Sequence, residues 1–284
     1  MDQKIIDLYD DFTHGGMNRR AFIDRLAALA GSTAAATALL PILQNDYAHA
    51  QTIDEADPRI VTRMVDIPGA PGLKGYLAEP KSGGRLPTVI VIHENRGLNP
   101  HIKDVTRRVA TDGFIALGLD YLSPMGGTPE DEAKGREMIG QLKPTDIASY
   151  GKAAVAYLKA LPNGNGKVGA IGFCWGGGAV NNLAVADPDL AAGVAYYGGQ
   201  PKAEDVARIK GAMLLHYGGL DERINAGIPA YEAALKQGGK TYEIYVYEGA
   251  NHAFNNNTNA ARYDKGASDL AWGRTVAFLK KNLA

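Results

Sequence analysis

The chain has one cysteine, Cys174, and it lies in Gly172-Phe173-Cys174-Trp175-Gly176-Gly177-Gly178. A glycine two positions before and two positions after a nucleophile is the spacing of a strand-to-helix elbow. An apolar run over 168–173 predicts the strand, and 176–186 predicts the helix. A nucleophile on so tight a turn needs strained backbone angles, and side chains at the two flanking positions would collide with neighbouring chain, hence the glycines. The Trp175 amide would face a substrate oxygen, and the helix start favours thiolate over thiol. The plainer alternative is a structural cysteine buried in a glycine-rich turn, and the partners downstream argue against it.

A nucleophile of this kind needs a base, and the base needs an orienting acid, in the chain order nucleophile, acid, histidine. An apolar strand over 213–217 runs into Gly218-Gly219-Leu220-Asp221, which places Asp221 just past a strand end. Its neighbour Glu222 is expected to be solvated. The next strand, 242–247, leads into Glu248-Gly249-Ala250-Asn251-His252-Ala253-Phe254. There His252 would carry the proton while Asp221 fixes its tautomer. His93 ends a strand ahead of the elbow and breaks the order. His216 lies inside a strand and is expected in the core, while His14, His49 and His101 have no chemistry around them in the sequence. No H-E-x-x-H or similar ligand pair occurs, and His93-Glu94 lacks a second histidine. No metal and no cofactor are expected, and a single cysteine permits no disulfide within the chain.

Around these residues, strand-like runs alternate with helix-like stretches. Strands are predicted at 59–67, 72–79, 88–93, 114–119, 168–173, 193–197, 213–217 and 243–247. Helices are predicted at 100–112, 130–141, 145–160, 176–186, 202–210, 226–238 and 261–282. The first two strands read as an antiparallel pair, and the rest as a mostly parallel sheet with helices on both faces, an α/β protein. The 284 residues suit one large domain at 51–284, and a net charge of −1 gives no pull toward nucleic acid.

Residues 1–50 stand apart. Arg19-Arg20 precedes a stretch, 26–45, without charge and rich in small residues, and Ala48-His49-Ala50 offers a small-x-small cleavage pattern. Together these predict a twin-arginine-like export signal and a periplasmic or exported protein. The alternative is a retained helical arm packed on the body of a cytoplasmic protein. So many Ala, Gly, Ser and Thr make a poor membrane anchor, so no stable membrane span is expected.

With these residues assembled, the chain resembles the dienelactone hydrolase family over about residues 59–283. The resemblance rests on His93-Glu94-Asn95-Arg96-Gly97-Leu98, the Cys174 elbow, Gly218-x-x-Asp221, Asn251-His252-Ala253-Phe254 and Ala271-Trp272-x-Arg274-Thr275. It implies an α/β-hydrolase fold and a Cys174-Asp221-His252 triad that cleaves ester or lactone bonds through a thioester. It also implies that Glu94 contacts the resting thiol, and that the Asn95 amide joins that of Trp175 as the oxyanion hole. Two departures bear on substrate. The family's Asp-Leu-Tyr-Ala-Arg segment reads Asp120-Tyr121-Leu122-Ser123-Pro124 here, and the arginine four positions after the triad histidine is Asn256. Losing two charge-assisted contacts, each worth ~1.5–3 kcal/mol, removes most recognition of an acidic lactone. Arg96, Arg262 and Tyr121 remain as candidate substrate contacts. The partner expected is a small-molecule ester or lactone. The alternatives are a general carboxylesterase or thioesterase of the same fold, or a non-catalytic binder of a small ligand.

Overall fold

The structure, a computed structural model, describes residues 1–49 and 51–284. Ala50, the last residue of the small-x-small pattern, lies outside the described residues. The body is an eight-stranded sheet in the order β1-β2-β4-β3-β5-β6-β7-β8. Its strands are β1 (Ile60–Asp66), β2 (Lys74–Pro80), β3 (Leu86–Ile92), β4 (Ile115–Asp120), β5 (Gly164–Phe173), β6 (Leu190–Tyr196), β7 (Ala212–Gly218) and β8 (Tyr242–Tyr247). β2 pairs antiparallel with both β1 and β4, and every other pairing is parallel.

Three helices at the N-terminus, α1 (Gln3–Thr13), α2 (Arg19–Ala30) and α3 (Thr33–Leu43), precede the sheet. The body's helices are α4 (Pro100–Thr111), α5 (Glu132–Gln141), α6 (Pro144–Lys159), α7 (Trp175–Ala186), α8 (Glu222–Asn225), α9 (Ile228–Gln237) and α10 (Lys265–Leu283). Alternation along β3 shows why the sheet must be covered on both faces. Ile90 and Ile92 pack with Val155 and Leu158 of α6, Val180 and Leu183 of α7 and Leu235 of α9. Val89 and Val91 point the other way, toward Val105 and Val109 of α4 and Phe278 and Leu279 of α10. Buried on both faces, the parallel strands read as continuous apolar runs.

The sequence places these elements to within a few residues, with three differences. The segment predicted as a helix at 202–210 is a short 3-10 turn, Ala203–Arg208. The helix predicted at 226–238 is preceded by the separate turn α8, and Gly227 caps α9. The last helix begins at Lys265 rather than 261, because Asp264 caps it through Ala267 N and the asparagine-rich segment before it closes turns of its own.

The first three helices fold into a small layer with its own core, in which Ile5, Tyr9, Phe22, Leu26, Ala36 and Leu43 are buried together. The layer is tied to the body by polar contacts. Asn259 Nδ2 donates to the Leu43 carbonyl at 2.7 Å, Asp46 N donates to Thr258 O at 2.7 Å, and Gln3 Nε2 donates to Asn251 Oδ1 at 2.5 Å. Among the described residues, no single helix is long and apolar enough to cross a membrane. α2 and α3 together pass on length and composition, but they are bent by 110°. Docking of this arm generates a prediction. Leu26→Ala removes a fully buried side chain from the arm's small core, at a cost of ~2–5 kcal/mol. Trypsin should then cut at Arg19, Arg20 or Arg25 well before it reaches the body, and mass spectrometry of the digest reads the sites. Equal resistance in parent and variant would mean that the arm's core does not hold it in place.

Candidate active site

The C-terminal ends of β3, β5, β7 and β8 bring four loops to one edge of the sheet, the usual place for a site in an open α/β fold. At the end of β5, Cys174 has φ 55° and ψ −115°, a conformation costly for a residue with a side chain. The flanking glycines show what this turn demands. A Cβ on Gly172 would lie 2.1 Å from Gly176 O, and one on Gly176 would lie 2.4 Å from His93 O. The turn leads straight into α7, whose first residue is Trp175. Among the described residues, neither the Asn95 nor the Trp175 amide is taken by a loop or turn hydrogen bond.

Past the end of β7, Asp221 is buried, and its Oδ2 accepts from His252 Nδ1 at 2.5 Å. The other oxygen, Oδ1, accepts from Ile224 N, so the carboxylate also caps α8. His252 follows β8, and Ala253 behind it adopts φ 62°, which turns the chain back toward the body. Because a carboxylate can only accept, Nδ1 carries the proton and Nε2 is left facing the sulfur side. Among the described residues His252 Nε2 is buried without a hydrogen-bond partner, and a ring nitrogen of His252 lies within 4.8 Å of Cys174 Sγ.

A second histidine stands on the same sulfur. His14, which caps α1, places Nε2 3.2 Å from Cys174 Sγ. Its Nδ1 lies 2.7 Å from the Asp10 carbonyl and 3.4 Å from the Asp10 carboxylate. Asp10 in turn meets Arg262 Nη1 at 3.2 Å and Arg223 Nη2 at 3.3 Å. The expectation that His14 has no chemistry around it is therefore wrong, and Asp10 was missed with it. The sequence holds one signal for the pair: an i, i+4 spacing puts both on one face of a helix. Nothing local indicates which surface that face meets.

The charges follow from this packing. Burial alone would push the Cys174 thiol up, but the imidazoles of His14 and His252 outweigh it and hold the thiol well below its ordinary range. Burial works against a charge on His252, yet the Asp10 carboxylate, the Cys174 sulfur and the bond to Asp221 raise it well above the usual imidazole range. Burial likewise raises Asp10, and His252, His14, Arg262 and Arg223 overcome it and keep the carboxyl ionised. The site thus favours a thiolate beside an imidazolium.

Other predicted residues lie elsewhere. Glu94 is buried, its Oε2 accepting from Asn256 Nδ2 at 2.9 Å and lying 3.5 Å from Arg96 Nη1, while Oε1 has no partner. Burial holds this carboxyl above its ordinary range against the nearby Arg96. Asn256 and Arg96 thus hold one oxygen of the carboxylate, and the negative Cys174 sulfur adds to the upward push on it, so the two groups feel each other without a hydrogen bond among the described residues. Arg96 is not a pocket residue either, since its guanidinium is buried between Glu94 and Glu132, 3.0 Å from the latter. Tyr121 is 1% exposed, set edge-on to His93 and Trp175 within the core. It supports the elbow from behind and cannot reach a substrate. Arg262 is engaged by Asp10. His216 and His101 are core residues, each pushed down to about 3 by burial, and His93 stacks on Trp175 at 5.3 Å.

A cavity of about 560 Å³ opens onto the sulfur, lined by Cys174, Trp175, Tyr197 and His252 of the body and by Phe12 and His14 of the arm. Two groups have the donor types for a metal ion: His14, Cys174 and His252, and Asp10, Asp221 and His252. A mixed eight-stranded sheet covered on both sides, with its nucleophile-type elbow at the carboxyl edge, defines an α/β-hydrolase. The chain belongs to the dienelactone hydrolase family, which it matches over residues 73–283, and it is an ester hydrolase of that kind acting on small molecules. Residues 1–31 separately match a family described as YqhI-like.

A relative from Synechocystis sp., named "putative carboxymethylenebutenolidase", is 33% identical over 243 residues, covering 79% of this chain and 98% of the relative. An Escherichia coli protein named "putative hydrolase fragment" is 47% identical over 115 residues, covering 39% of this chain and 98% of that protein. Among solved structures, a dienelactone hydrolase-like promiscuous phosphotriesterase from metagenomic libraries superimposes with a TM-score of 0.73 at 25% identity. That match covers 80% of this chain and all of the other, 100%.

The elbow geometry generates a prediction. Gly176→Ala puts a methyl group against the His93 carbonyl, so β3 and α7 must separate, at a cost of ~1–3 kcal/mol. The melting temperature should fall by ~2 °C or more, and thiol alkylation should change with it. An unchanged melting curve and unchanged alkylation rate would show that the elbow tolerates a side chain there.

Proposed function

We propose that Cys174 is the nucleophile, His252 the proton carrier and Asp221 its orienting acid, in a hydrolase that cleaves a small ester or lactone through a thioester. The observation that carries this reading is the positive-φ cysteine whose sulfur stands beside the Asp221-bound histidine. The thiolate attacks the carbonyl carbon, a C–S bond forms, and the oxygen takes the charge beside the Asn95 and Trp175 amides. As the C–O bond breaks, the leaving alkoxide takes a proton from His252 Nε2. Water then gives a proton to His252 and attacks the thioester, and the thiol is released with the acid.

Glu94, whose second oxygen is buried without a partner and which is electrostatically coupled to the Cys174 sulfur, is the acid we assign to alter the thiol's charge when substrate enters. Recognition of a substrate carboxylate is not part of this reading. Asn256 is spent on Glu94 and Thr258, and Tyr121 is buried. A small ester or lactone that fits about 560 Å³ is the substrate class supported, and Arg136 and Arg223 line the same cavity.

Cys174→Ala should lower kcat by about three orders of magnitude on an aryl ester or lactone while leaving the melting curve in place. Equal turnover in variant and parent would sink the mechanism. We further infer that residues 1–50 stay on the working protein, because α1 supplies Asp10 and His14 to the site. The intact mass of protein from its native host should correspond to the whole chain. A mass corresponding to a start near Gln51 would instead support the export signal.

A further inference from the structure

Three donor atoms converge at the mouth of the cavity from chain segments far apart in sequence. His14 Nε2 lies 3.2 Å from Cys174 Sγ, and a ring nitrogen of His14, Cys174 Sγ and a ring nitrogen of His252 all lie within 4.8 Å of one another. Zinc bonds of ~2.0–2.1 Å to nitrogen and ~2.3 Å to sulfur put the ligand atoms of a tetrahedron about 3.5 Å apart, so only small side-chain adjustments separate this group from a coordination shell. Both imidazoles are already oriented as metal ligands are. Each gives its Nδ1–H to an oxygen outside the group, that of His252 to Asp221 and that of His14 to the Asp10 carbonyl. Once the imidazolium proton leaves, both Nε2 lone pairs face inward, the outer-shell arrangement that fixes tautomer and ring plane at metal centres. The free, buried Nε2 of His252 is the independent sign of an unfilled partner.

We propose that His14, Cys174 and His252 form a binding site for a borderline-soft divalent cation of the zinc type, one per chain, with the arm's histidine as an obligatory ligand. One thiolate and two imidazoles select zinc-like ions over magnesium or calcium, which prefer oxygen. Binding displaces the proton held by the thiolate–imidazolium pair, which passes to solvent, and leaves the fourth coordination position open to the cavity. The ion joins arm to body and occupies the sulfur lone pair that would attack a carbonyl. Occupancy therefore locks the arm and silences the thiol. The silencing rests on the hydrolase reading above; the binding does not.

Cobalt titration of the full chain tests the site without any turnover. One equivalent of Co²⁺ should produce a thiolate-to-metal charge-transfer band and the visible bands of tetrahedral cobalt, and Zn²⁺ should displace both. Cys174→Ser should abolish the charge-transfer band. His14→Ala, and the size-conserving His14→Gln, should weaken Co²⁺ binding at least about 100-fold, beyond the ~10–100-fold typical of losing an outer-shell partner, with circular dichroism confirming that each variant is folded. No charge-transfer band at stoichiometric cobalt would overturn the proposal. So would cobalt bound without sulfur, as the Asp10-Asp221-His252 group would hold it, or parent-like affinity in both His14 variants. In the parent, stoichiometric Zn²⁺ should also stop aryl-ester hydrolysis, and a chelator should restore it. If no ester is hydrolysed at all, the hydrolase reading fails while the cobalt spectrum still decides the site.

Discussion

The left-handed backbone at Cys174 is the constraint from which the rest of the site follows. A residue with a side chain at φ 55° costs ~1–3 kcal/mol and persists only where its surroundings leave no alternative. Here β5 is hydrogen-bonded in parallel on both sides, and α7 begins at the next residue, with Val180 and Leu183 anchored in the core. The strand cannot retreat and the helix cannot advance. The cysteine is therefore held at the sheet edge with its amide neighbours exposed to whatever enters the cavity. The first turn of α7 leaves no room for a side chain at position 172, and the end of β3 leaves none at position 176.

Around that fixed sulfur the charges are arranged in opposition. Asp221 orients His252 from one side, and Asp10 orients His14 from the other, so two acid–histidine pairs converge on one thiol. Asp10 is itself held between Arg262 and Arg223, and Glu94 is held by Arg96 and Asn256. Removing Asp10 leaves the buried Arg262 without its acid, and an uncompensated buried charge costs far more than the pair contributes when intact. The arm is thus bound into the electrostatics of the site as well as into its apolar packing.

Much of this was legible in the sequence, for physical reasons. Strands buried on both faces leave unbroken apolar runs such as the Val-Ile-Val-Ile of 89–92. The elbow's steric demands leave glycines, and the acid and histidine must follow strand ends to reach the same edge. Those constraints act over short spans and mark the sequence directly. The arm's role acts over a long one, since His14 and Cys174 meet only through packing that no local pattern encodes. The same limit applies to Asn256, which reads as a lost arginine but serves as the tether of Glu94. Arg96 and Tyr121 were expected at the substrate because a guanidinium and a phenol near a site are useful there. Burial against Glu132 in one case and against Trp175 in the other assigns them to support.

The central claim is that carbon–sulfur bond formation at Cys174 lies on the path of hydrolysis. The direct measurement is intact mass spectrometry of enzyme mixed with a slowly turned-over aryl ester and quenched in acid within one turnover. The account predicts a transient increase equal to the acyl group, located on the peptide containing Cys174 and removed by hydroxylamine. Hydrolysis proceeding at the same rate with no adduct at any quench time, or an adduct on another residue, would contradict it.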